Sequence, residues 1–419
     1  MPTRQILIKN ANIFNGIDNK IYENQNILIE NNIISKVSED CTGIIAGNII
    51  DIQGKTVIPG LIDAHIHIML YEHTCNSLAY EAIRATILLK QTLDRGFTTI
   101  RDVGGDVWSI VKAMNEGMFD GPRVFYSGKV LSQTGGHGDM RSPNDASPLY
   151  STKTFSNSNQ SVIVDGVESI RRAARENFVK GASFVKIMAS GGCTSPHDTI
   201  YSNQFTTEEI QAAVEVGQSY NTYTAAHTYM PYSIKRCIEN GIRTIEHGNF
   251  LDNETAKLMA DKNAFLVPTL ITYNLAYEDF LAGKNDTFFV SGDVIKSLCD
   301  KGLSAISKAR KAGVKVGFGT DIVKANAVYD LTSAFSRQSD EFVIRSKVET
   351  PFDTLHSATA VNAEILNMKD KLGVIKSGAF ADLLVIDGNP LDDIKLLTEQ
   401  GKHIKLIIKN GLCVKNELV

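Results

Sequence analysis

The chain has 419 residues, of which 43% are hydrophobic and 21% are charged. This is the composition of an ordinary globular protein, and it excludes disordered and fibrous classes. The 43 Lys and Arg residues and 47 Asp and Glu residues give a net charge of −4, which provides no electrostatic footprint for nucleic acid or an anionic membrane. Six cysteines without CxxC pairs argue against a disulfide framework. Because neither a secretory segment nor an apolar run of about 20 residues is evident, we expect a cytoplasmic protein.

The two ends of the chain share a pattern of short alternating strands. The N-terminal part contains ILIKNANIF, NILIENNIISKV and NIIDIQGKTVI, and the C-terminal part contains ADLLVID, IKLIIKNG and LCVKN. Two separate β-extensions of this size would each be too small for an independent core. We therefore predict that residues 1–58 and 372–419 build one small composite β-sandwich domain.

The middle region, residues 59–371, has a different pattern. Short β-branched runs are followed by helical patterns, many of which end on Gly or Asn. Eight strands that alternate with helices indicate an α/β fold, a (β/α)8 TIM-type barrel, in which chemistry belongs at the C-terminal ends of the strands. The predicted strands are 61–67, 98–102, 124–127, 184–189, 222–227, 243–247, 265–269 and 314–321.

A pair of histidines lies on the first predicted barrel strand. His65 and His67 are two residues apart in LIDAHIHI, so their side chains share one face of the strand. This spacing suits chelation of a divalent metal ion. The alternative is two satisfied core histidines, but burying two imidazoles side by side is unfavourable unless a partner compensates them.

A lysine lies inside the apolar strand SFVKIMASGG. Lys186 alternates with Phe184 and Met188 on one face, where an unpaired ammonium is unfavourable. Three interpretations stay open at this point. The side chain reaches the surface, or it forms an inward salt bridge, or it is a neutral amine that captures carbon dioxide as a carbamate and bridges two metal ions.

Three further candidate ligands occur at predicted strand ends. His227 lies near the end of TAAHT, His247 lies near the end of RTIEHGN, and Asp321 ends VGFGTD. One such residue is uninformative, but together with the HxH pair and Lys186 they place six metal-binding groups at one end of the predicted barrel. We therefore predict a metal site at this end.

These residues resemble the metal-dependent amidohydrolase superfamily. The motifs that carry the resemblance are PGLIDAHIH, the strand-borne Lys186, His227, His247 and GTD. SQTGGHGD (132–139), VKIMASGG (185–192) and SPHD (195–198) are similar to its Xaa-Pro dipeptidase-like, imidazolonepropionase-related branch, from which Cys193 and His197 depart.

The resemblance implies two divalent metal ions, with zinc the commonest choice for these ligands. It implies that His65, His67 and Asp321 hold one ion, that His227 and His247 hold the second, and that carboxylated Lys186 bridges them. As imidazolonepropionase uses a single metal without such a lysine, Lys186 weighs against that reaction.

The expected mechanism is attack of a metal-activated hydroxide on an amide carbonyl. Asp321 takes the proton of the water and delivers it to the leaving nitrogen. His137 is a candidate donor to the oxyanion, or else a turn residue, and Tyr229 is a candidate donor to the substrate, or else rim packing. Arg243 and Glu246 are expected to form structural pairs. His73, His356 and His403 are interpreted as ordinary histidines.

The expected substrate is a small molecule, either a dipeptide ending in Pro or another apolar residue, or an N-acyl amino acid. The apolar stretch Pro268, Leu270, Tyr273, Tyr277 and Phe280 either lines a leaving-group pocket or belongs to the core. A cyclic, urea-type or xenobiotic amide is the alternative substrate, and a scaffold without turnover is disfavoured because no ligand is missing. The segment 141–161 is either a lid or surface loop. The sequence is compatible with a homo-oligomer but does not predict one.

Overall fold

The computed structural model describes residues 4–43, 46–69, 78–141, 160–284, 290–322 and 336–418. The N-terminal part forms five strands rich in isoleucine and other aliphatic residues, and the buried side chains include Ile8, Ile27, Ile34 and Val57. The strands are β1 (Gln5–Ile13), β2 (Tyr22–Glu30), β3 (Ile33–Ser38), β4 (Asn48–Asp51) and β5 (Thr56–Pro59).

The barrel follows directly, and all eight predicted strands are present. They are β6 (Leu61–Ile66), β7 (Phe97–Asp102), β8 (Arg123–Tyr126), β11 (Val185–Met188), β12 (Thr224–Thr228), β13 (Thr244–His247), β14 (Phe265–Val267) and β15 (Lys315–Val316). Two three-residue strands that the pattern did not predict, β9 (Val130–Ser132) and β10 (Ser161–Ile163), extend the sheet beside β11. Strands this short give too few residues for a period to be read.

Parallel pairing runs around the barrel and closes it. The strands pair in the orders β6-β7-β8 and β9-β11-β12-β13-β14-β15. Ser183 donates its amide to the Tyr126 carbonyl between the two groups, and Ile66 bridges Ile322 to join the first and last strands. Gly319 allows this closure, because a Cβ there would lie 2.8 Å from the Cβ of His65.

Helices cover the outside of the barrel. Their buried faces pack on outward strand residues such as Val185 and Ile187, while Phe184 belongs to the interior cluster. The helices are α1 (Leu78–Asp94), α2 (Trp108–Asn115), α3 (Val167–Val179), α4 (Thr207–Ser219), α5 (Pro231–Glu239), α6 (Asn253–Asp261), α7 (Leu270–Leu281), α8 (Gly292–Ala312), α9 (Asp340–Arg345), α10 (Pro351–His356) and α11 (Asn362–Ile365). Among the described helices, none has the length and apolar character needed to span a membrane.

The chain ends in three strands that return to the first five. They are β16 (Leu383–Ile386), β17 (Ile404–Lys409) and β18 (Leu412–Asn416). The order β18-β17-β16-β5-β1-β2-β3, with β4 on β1, makes one mixed eight-stranded sheet. The predicted fold class, a barrel with a β-domain built from both termini, is confirmed. The boundaries 1–58 with 372–419, and 59–371, stay a prediction.

Candidate metal centre

The HxH pair and the last strand of the barrel meet at one carboxylate. The Nε2 atoms of His65 and His67 lie 3.3 and 3.2 Å from Oδ1 of Asp321. The Asp321 amide donates to the carbonyl of His65 at 2.7 Å, which ties the end of the last strand to the first. The three side chains thus converge at the C-terminal end of the barrel strands.

Each of the two β6 histidines is held through its other ring nitrogen. Nδ1 of His65 lies 2.7 Å from Oε2 of Glu246, and Nδ1 of His67 lies 2.9 Å from the carbonyl of Gly104. A carbonyl and an ionised carboxylate can only accept, so both rings carry their hydrogen on Nδ1 when neutral. The Nε2 lone pairs therefore face the site.

His247 joins the same cluster from β13. Its Nδ1 lies 2.7 Å from the Thr269 hydroxyl, and ligand atoms of His65, His247 and Asp321 all lie within 4.8 Å of one another. His227 is its neighbour on β12: the two ring centroids are 4.5 Å apart, and Nε2 of His227 lies 3.2 Å from the Gly191 carbonyl. We call His65, His67, His227, His247 and Asp321 the rim cluster.

Two members of the rim cluster have a left-handed backbone. φ is +71° at His247 and +47° at Asp321, a region that is unfavourable for residues other than Gly, Asn and Asp. At His247 this breaks the alternation of the strand, so that Glu246 and His247 both contact the His65 ring. Strain of this kind persists where the surrounding structure enforces it, and it is concentrated at functional sites.

The protonation states of the rim cluster suit metal ligands. Burial and neighbouring positive charges hold the pKa of His227 and of His247 well below the usual range, so both rings are neutral. Burial alone would raise the pKa of Asp321, but His65 and His67 lower it well below its usual value, so the carboxylate is ionised.

Lys186 lies within the barrel, 1% exposed, which rules out the surface interpretation. It takes part in no ion pair among the described residues, since Glu246 and Asp321 are paired with other groups. Burial lowers the pKa of its amine to about 8, although Glu246 and Asp321 oppose the shift. A neutral amine, the form that reacts with carbon dioxide, is therefore accessible near neutral pH.

The donor set fits a divalent cation. The Nε2 lone pairs of His65 and His67 and the carboxylate of Asp321 are all acceptors that face one another at 3.2–3.3 Å, so a proton or a cation must lie between them. Without one, Asp321 raises the pKa of His67 even though burial lowers it. Imidazole nitrogen and carboxylate oxygen are preferred ligands of zinc and related metals.

A buried ion pair lies beneath the rim cluster, and we call it the floor pair. Nη2 of Arg101 lies 2.8 Å from both carboxylate oxygens of Glu246, and both side chains are fully buried. Arg101 also donates from Nε to the Ala64 carbonyl, and Thr244 donates to Glu246 at 2.7 Å. Arg101 was not predicted from the sequence, because its strand, FTTIRD, contains two threonines and an aspartate and gives no apolar pattern against which a charged residue would stand out.

The predicted structural roles of Arg243 and Glu246 involve different partners. Glu246 pairs with Arg101, whereas Arg243 donates to the Glu364 carbonyl at 2.7 Å and lies over the Tyr223 ring. Glu246 also positions His65, so it contributes to the site, which sequence reasoning did not foresee.

His137 and Tyr229 both lie against the rim cluster. The His137 ring stacks on His227 with centroids 4.4 Å apart, and the Tyr229 ring stacks on His247 at 5.4 Å. The hydroxyl of Tyr229 lies 2.9 Å from that of Tyr273 on α7. Both predicted donors are thus adjacent to the candidate metal ligands.

Other predicted positions lie away from the rim cluster or outside the described residues. His356 interacts with the Gly16 carbonyl at 2.8 Å, and His403 lies just before β17. His73 and most of the segment 141–161 lie outside the described residues. Of the stretch after β14, Tyr273 is buried and reaches the site through Tyr229, whereas Phe280 is exposed.

Comparison with known proteins identifies relatives that cover most of the chain. Aspergillus niger ochratoxinase is 31% identical over 375 residues, which cover 86% of this chain and 75% of the relative. The crystal structure of a prolidase complexed with N-methylphosphonate-L-proline is 38% identical, with a TM-score of 0.90 and coverage of 98% of this chain and 100% of that chain. A Xaa-Pro dipeptidase with methionine bound in its active site is 31% identical, with a TM-score of 0.85 and coverage of 98% and 100%.

The family assignment rests on most of the chain. Residues 56–413 match the amidohydrolase family, a span that contains the whole barrel and the rim cluster. This confirms the resemblance noted in the sequence, and with it a hydrolytic enzyme that acts on amide bonds. The chain belongs to the amidohydrolase family.

Proposed function

We propose that the protein hydrolyses dipeptides that end in Pro or another apolar residue, or N-acyl amino acids, at a centre of two divalent metal ions. The observation that carries the proposal is the convergence of His65, His67, His247 and Asp321 on one point at the rim of the barrel. The likeness to a prolidase and to a Xaa-Pro dipeptidase supports the choice of substrate.

The rim cluster and Lys186 would hold the two ions. His65, His67 and Asp321 are the candidate ligands of one ion, and His227 and His247 are those of the other. Lys186, as a carbamate formed with carbon dioxide, would bridge them. Zinc is the expected metal for these ligands. When bound, such ions polarise the amide carbonyl and acidify water.

Asp321 is the expected proton carrier. Its pKa is held well below the usual value, so the carboxylate is ionised, which is the form that can accept a proton. It takes one proton from the attacking water and delivers it to the leaving nitrogen as the C–N bond breaks. The water oxygen ends in the new carboxylate, and the amine leaves as a free amino acid.

His137 and Tyr229 are the expected donors to the substrate oxygen. Each ring lies against one of the metal-binding histidines, so each could reach a carbonyl at the rim cluster. A hydrogen bond that strengthens as charge develops on this oxygen lowers the barrier, by about 10²–10³ in rate for one well-placed donor.

The apolar cluster of Cys193, Ile200, Tyr229, Tyr273 and Leu298 packs around the Tyr229 ring next to the rim cluster, and all five side chains are buried. We expect the substrate to lie against this apolar side of the site, which suits a proline ring or an aliphatic side chain better than a charged one.

Elemental analysis and a substrate panel test the proposal. We expect two zinc or similar ions per chain, and release of free amino acid from Xaa-Pro dipeptides and N-acetyl amino acids. Asp165→Asn changes an exposed carboxylate whose hydrogen bonds to the described residues all come from Thr134, and this variant should behave as the wild type. A metal-loaded protein that is silent across the panel would contradict the substrate assignment.

A second candidate substrate is a cyclic, urea-type or xenobiotic amide. The similarity to ochratoxinase favours it. Activity on a panel of aryl and cyclic amides together with silence on dipeptides would select this candidate, since both use the same metal centre.

A further inference from the structure

We propose that Asp198 is a positioning residue that anchors the imidazole of His137, so that Nε2 of the ring faces the substrate at the rim cluster. This inference rests on the proposed function, in which His137 contacts the substrate. It gives a role to the SPHD motif, which the metal centre leaves unexplained.

Asp198 and Ser195 both approach the same nitrogen of His137. Oδ2 of Asp198 lies 3.3 Å from Nδ1, and the Ser195 hydroxyl lies 3.1 Å from it. In a nucleophilic triad the serine and the carboxylate use opposite ring nitrogens. Here both are on one side, and Ser195 also accepts the Gly138 amide at 2.7 Å. The two side chains are therefore anchors, and Ser195 is not a nucleophile.

The same carboxylate also fixes the backbone around the ring. Oδ2 of Asp198 accepts the Gly192 amide at 2.8 Å and the side-chain amide of Gln204 at 3.2 Å. The other end of that amide, Oε1 of Gln204, accepts the His137 backbone N–H at 2.9 Å. The ring and the backbone of His137 thus depend on one buried carboxylate.

The position of the ring is closely defined on both faces. His227 stacks on it at 4.4 Å with an angle of 22° between the planes. A Cβ at Gly192 would lie 2.1 Å from Cε1 of His137, so the ring lies against bare backbone. Nε2 makes no hydrogen bond to a described residue, which leaves it as the free nitrogen of the ring.

Burial of the Asp198 carboxylate is energetically unfavourable. Its side chain is 1% exposed, and Oδ1 is buried without a hydrogen-bond partner in the described part of the chain. An unpaired buried carboxylate oxygen is unusual in a folded protein and indicates a demand other than stability. Holding His137 is a demand that the observed contacts account for.

A double-mutant cycle on the zinc-loaded enzyme tests this role, with the best substrate of the panel. Asp198→Ala should lower kcat by about 10²-fold and change KM by less than about twofold, as loss of an oriented donor does. Asp198→Asn keeps an acceptor oxygen toward Nδ1 and the Gly192 amide, and it should retain kcat within about tenfold. The double variant Asp198→Ala/His137→Ala should be no slower than His137→Ala alone.

The controls separate positioning from general damage. Every variant should keep two metal ions per chain. Asp165→Ala removes the carboxylate that binds Thr134, in the same loop as His137, and it should leave kcat unchanged. Multiplicative losses in the double variant would overturn the proposal, as would wild-type kcat in Asp198→Ala or an equal loss in Asp165→Ala. If Asp198→Ala does not fold, Asp198→Ser, which is too short to reach His137, replaces it in the cycle.

A spectroscopic readout does not depend on the substrate. The ¹⁵N shifts of the His137 ring nitrogens, in protein labelled at histidine, should change in Asp198→Ala and stay close to the wild type in Asp198→Asn. Unchanged shifts in Asp198→Ala would reject the anchor. A wild-type enzyme silent across the substrate panel would instead reject the proposed function, so the two failures are distinguishable.

Discussion

The rim cluster and the floor pair are joined by one hydrogen bond, between His65 and Glu246. They differ in whether their buried polar groups find partners within the protein. In the floor pair, Arg101 and Glu246 find their partners within the protein. In the rim cluster, lone pairs of His65 and His67 face a carboxylate that is also an acceptor. The contrast separates polar groups that are satisfied within the protein from facing acceptors that a bound cation would satisfy. The following variants test it.

The largest effect is expected at Asp321. Asp321→Asn removes the negative charge and the proton acceptor of the rim cluster together, so kcat should fall by about 10³-fold or more. Steady-state rates and metal content on the same preparation measure the effect. A variant with two metal ions and near-normal kcat would show that Asp321 is neither ligand nor proton carrier.

Replacement of Lys186 should impair the metal-loaded enzyme but stabilise the metal-free protein. Lys186→Met should reduce the metal content toward one ion per chain and abolish activity, and short carboxylic acids that mimic the carbamate should restore part of it. Full metal content with normal turnover would falsify the carbamate assignment. Elemental analysis and rescue kinetics give the answer.

In the metal-free protein the same change should stabilise the fold. Burial lowers the Lys186 pKa from 10.5 to about 8. At a pH below both values this shift reduces the free energy of unfolding by roughly 3 kcal/mol. Between these pKa values the unfolded chain binds more protons than the folded one, so this group makes stability rise with pH. Urea unfolding at pH 7 and pH 10 should show that rise in the wild type and a smaller rise in Lys186→Met.

The floor pair should respond as a unit. Glu246→Gln leaves a buried Arg101 without its counter-charge, which should lower the free energy of unfolding by about 3–5 kcal/mol. It also weakens the hydrogen bond that orients His65, so the metal affinity should fall by about 10–100-fold. Arg101→Met/Glu246→Leu should recover much of the stability but not the metal affinity. Urea unfolding and chelator competition measure the two quantities. Recovery of both would mean that Glu246 has no role in positioning His65.

The smallest effect is expected at the edge of the rim cluster. Tyr273→Phe removes the hydroxyl that lies 2.9 Å from that of Tyr229, and a single neutral hydrogen bond of this kind changes kcat/KM by about three- to tenfold. Tyr277→Phe, one turn further along α7, is the matched control. Equal effects of the two variants would place the cause in the helix rather than in the hydrogen bond.

Strand ends and their polar residues could be predicted from the sequence because chemistry on a barrel follows strand periodicity. This pattern supplied six candidate ligands. Five of them, His65, His67, His227, His247 and Asp321, come together in the rim cluster, and the sixth, Lys186, is buried within the barrel. Their role as metal ligands stays a prediction. The left-handed backbone at His247, which brings it to the same side as Glu246, breaks that periodicity and leaves no sequence signal. The Arg101–Glu246 pair joins residues 145 positions apart, and the contact of Asp198 with His137 depends on a loop geometry that no local rule describes.

The composite sheet has a consequence for biosynthesis. Val57 of β5 pairs with Ile13 in β1 and with Val385 in β16, so one strand joins the two ends of the chain. At a synthesis rate of roughly 5–20 residues per second, β5 leaves the ribosome tens of seconds before β16 does. During this interval its outer edge is unpaired and open to strands from other chains. A nascent chain that stalls before Leu383 therefore exposes an unpaired, aggregation-prone strand edge to neighbouring chains on the polysome. We expect the yield of folded protein to depend on the speed of translation through the barrel.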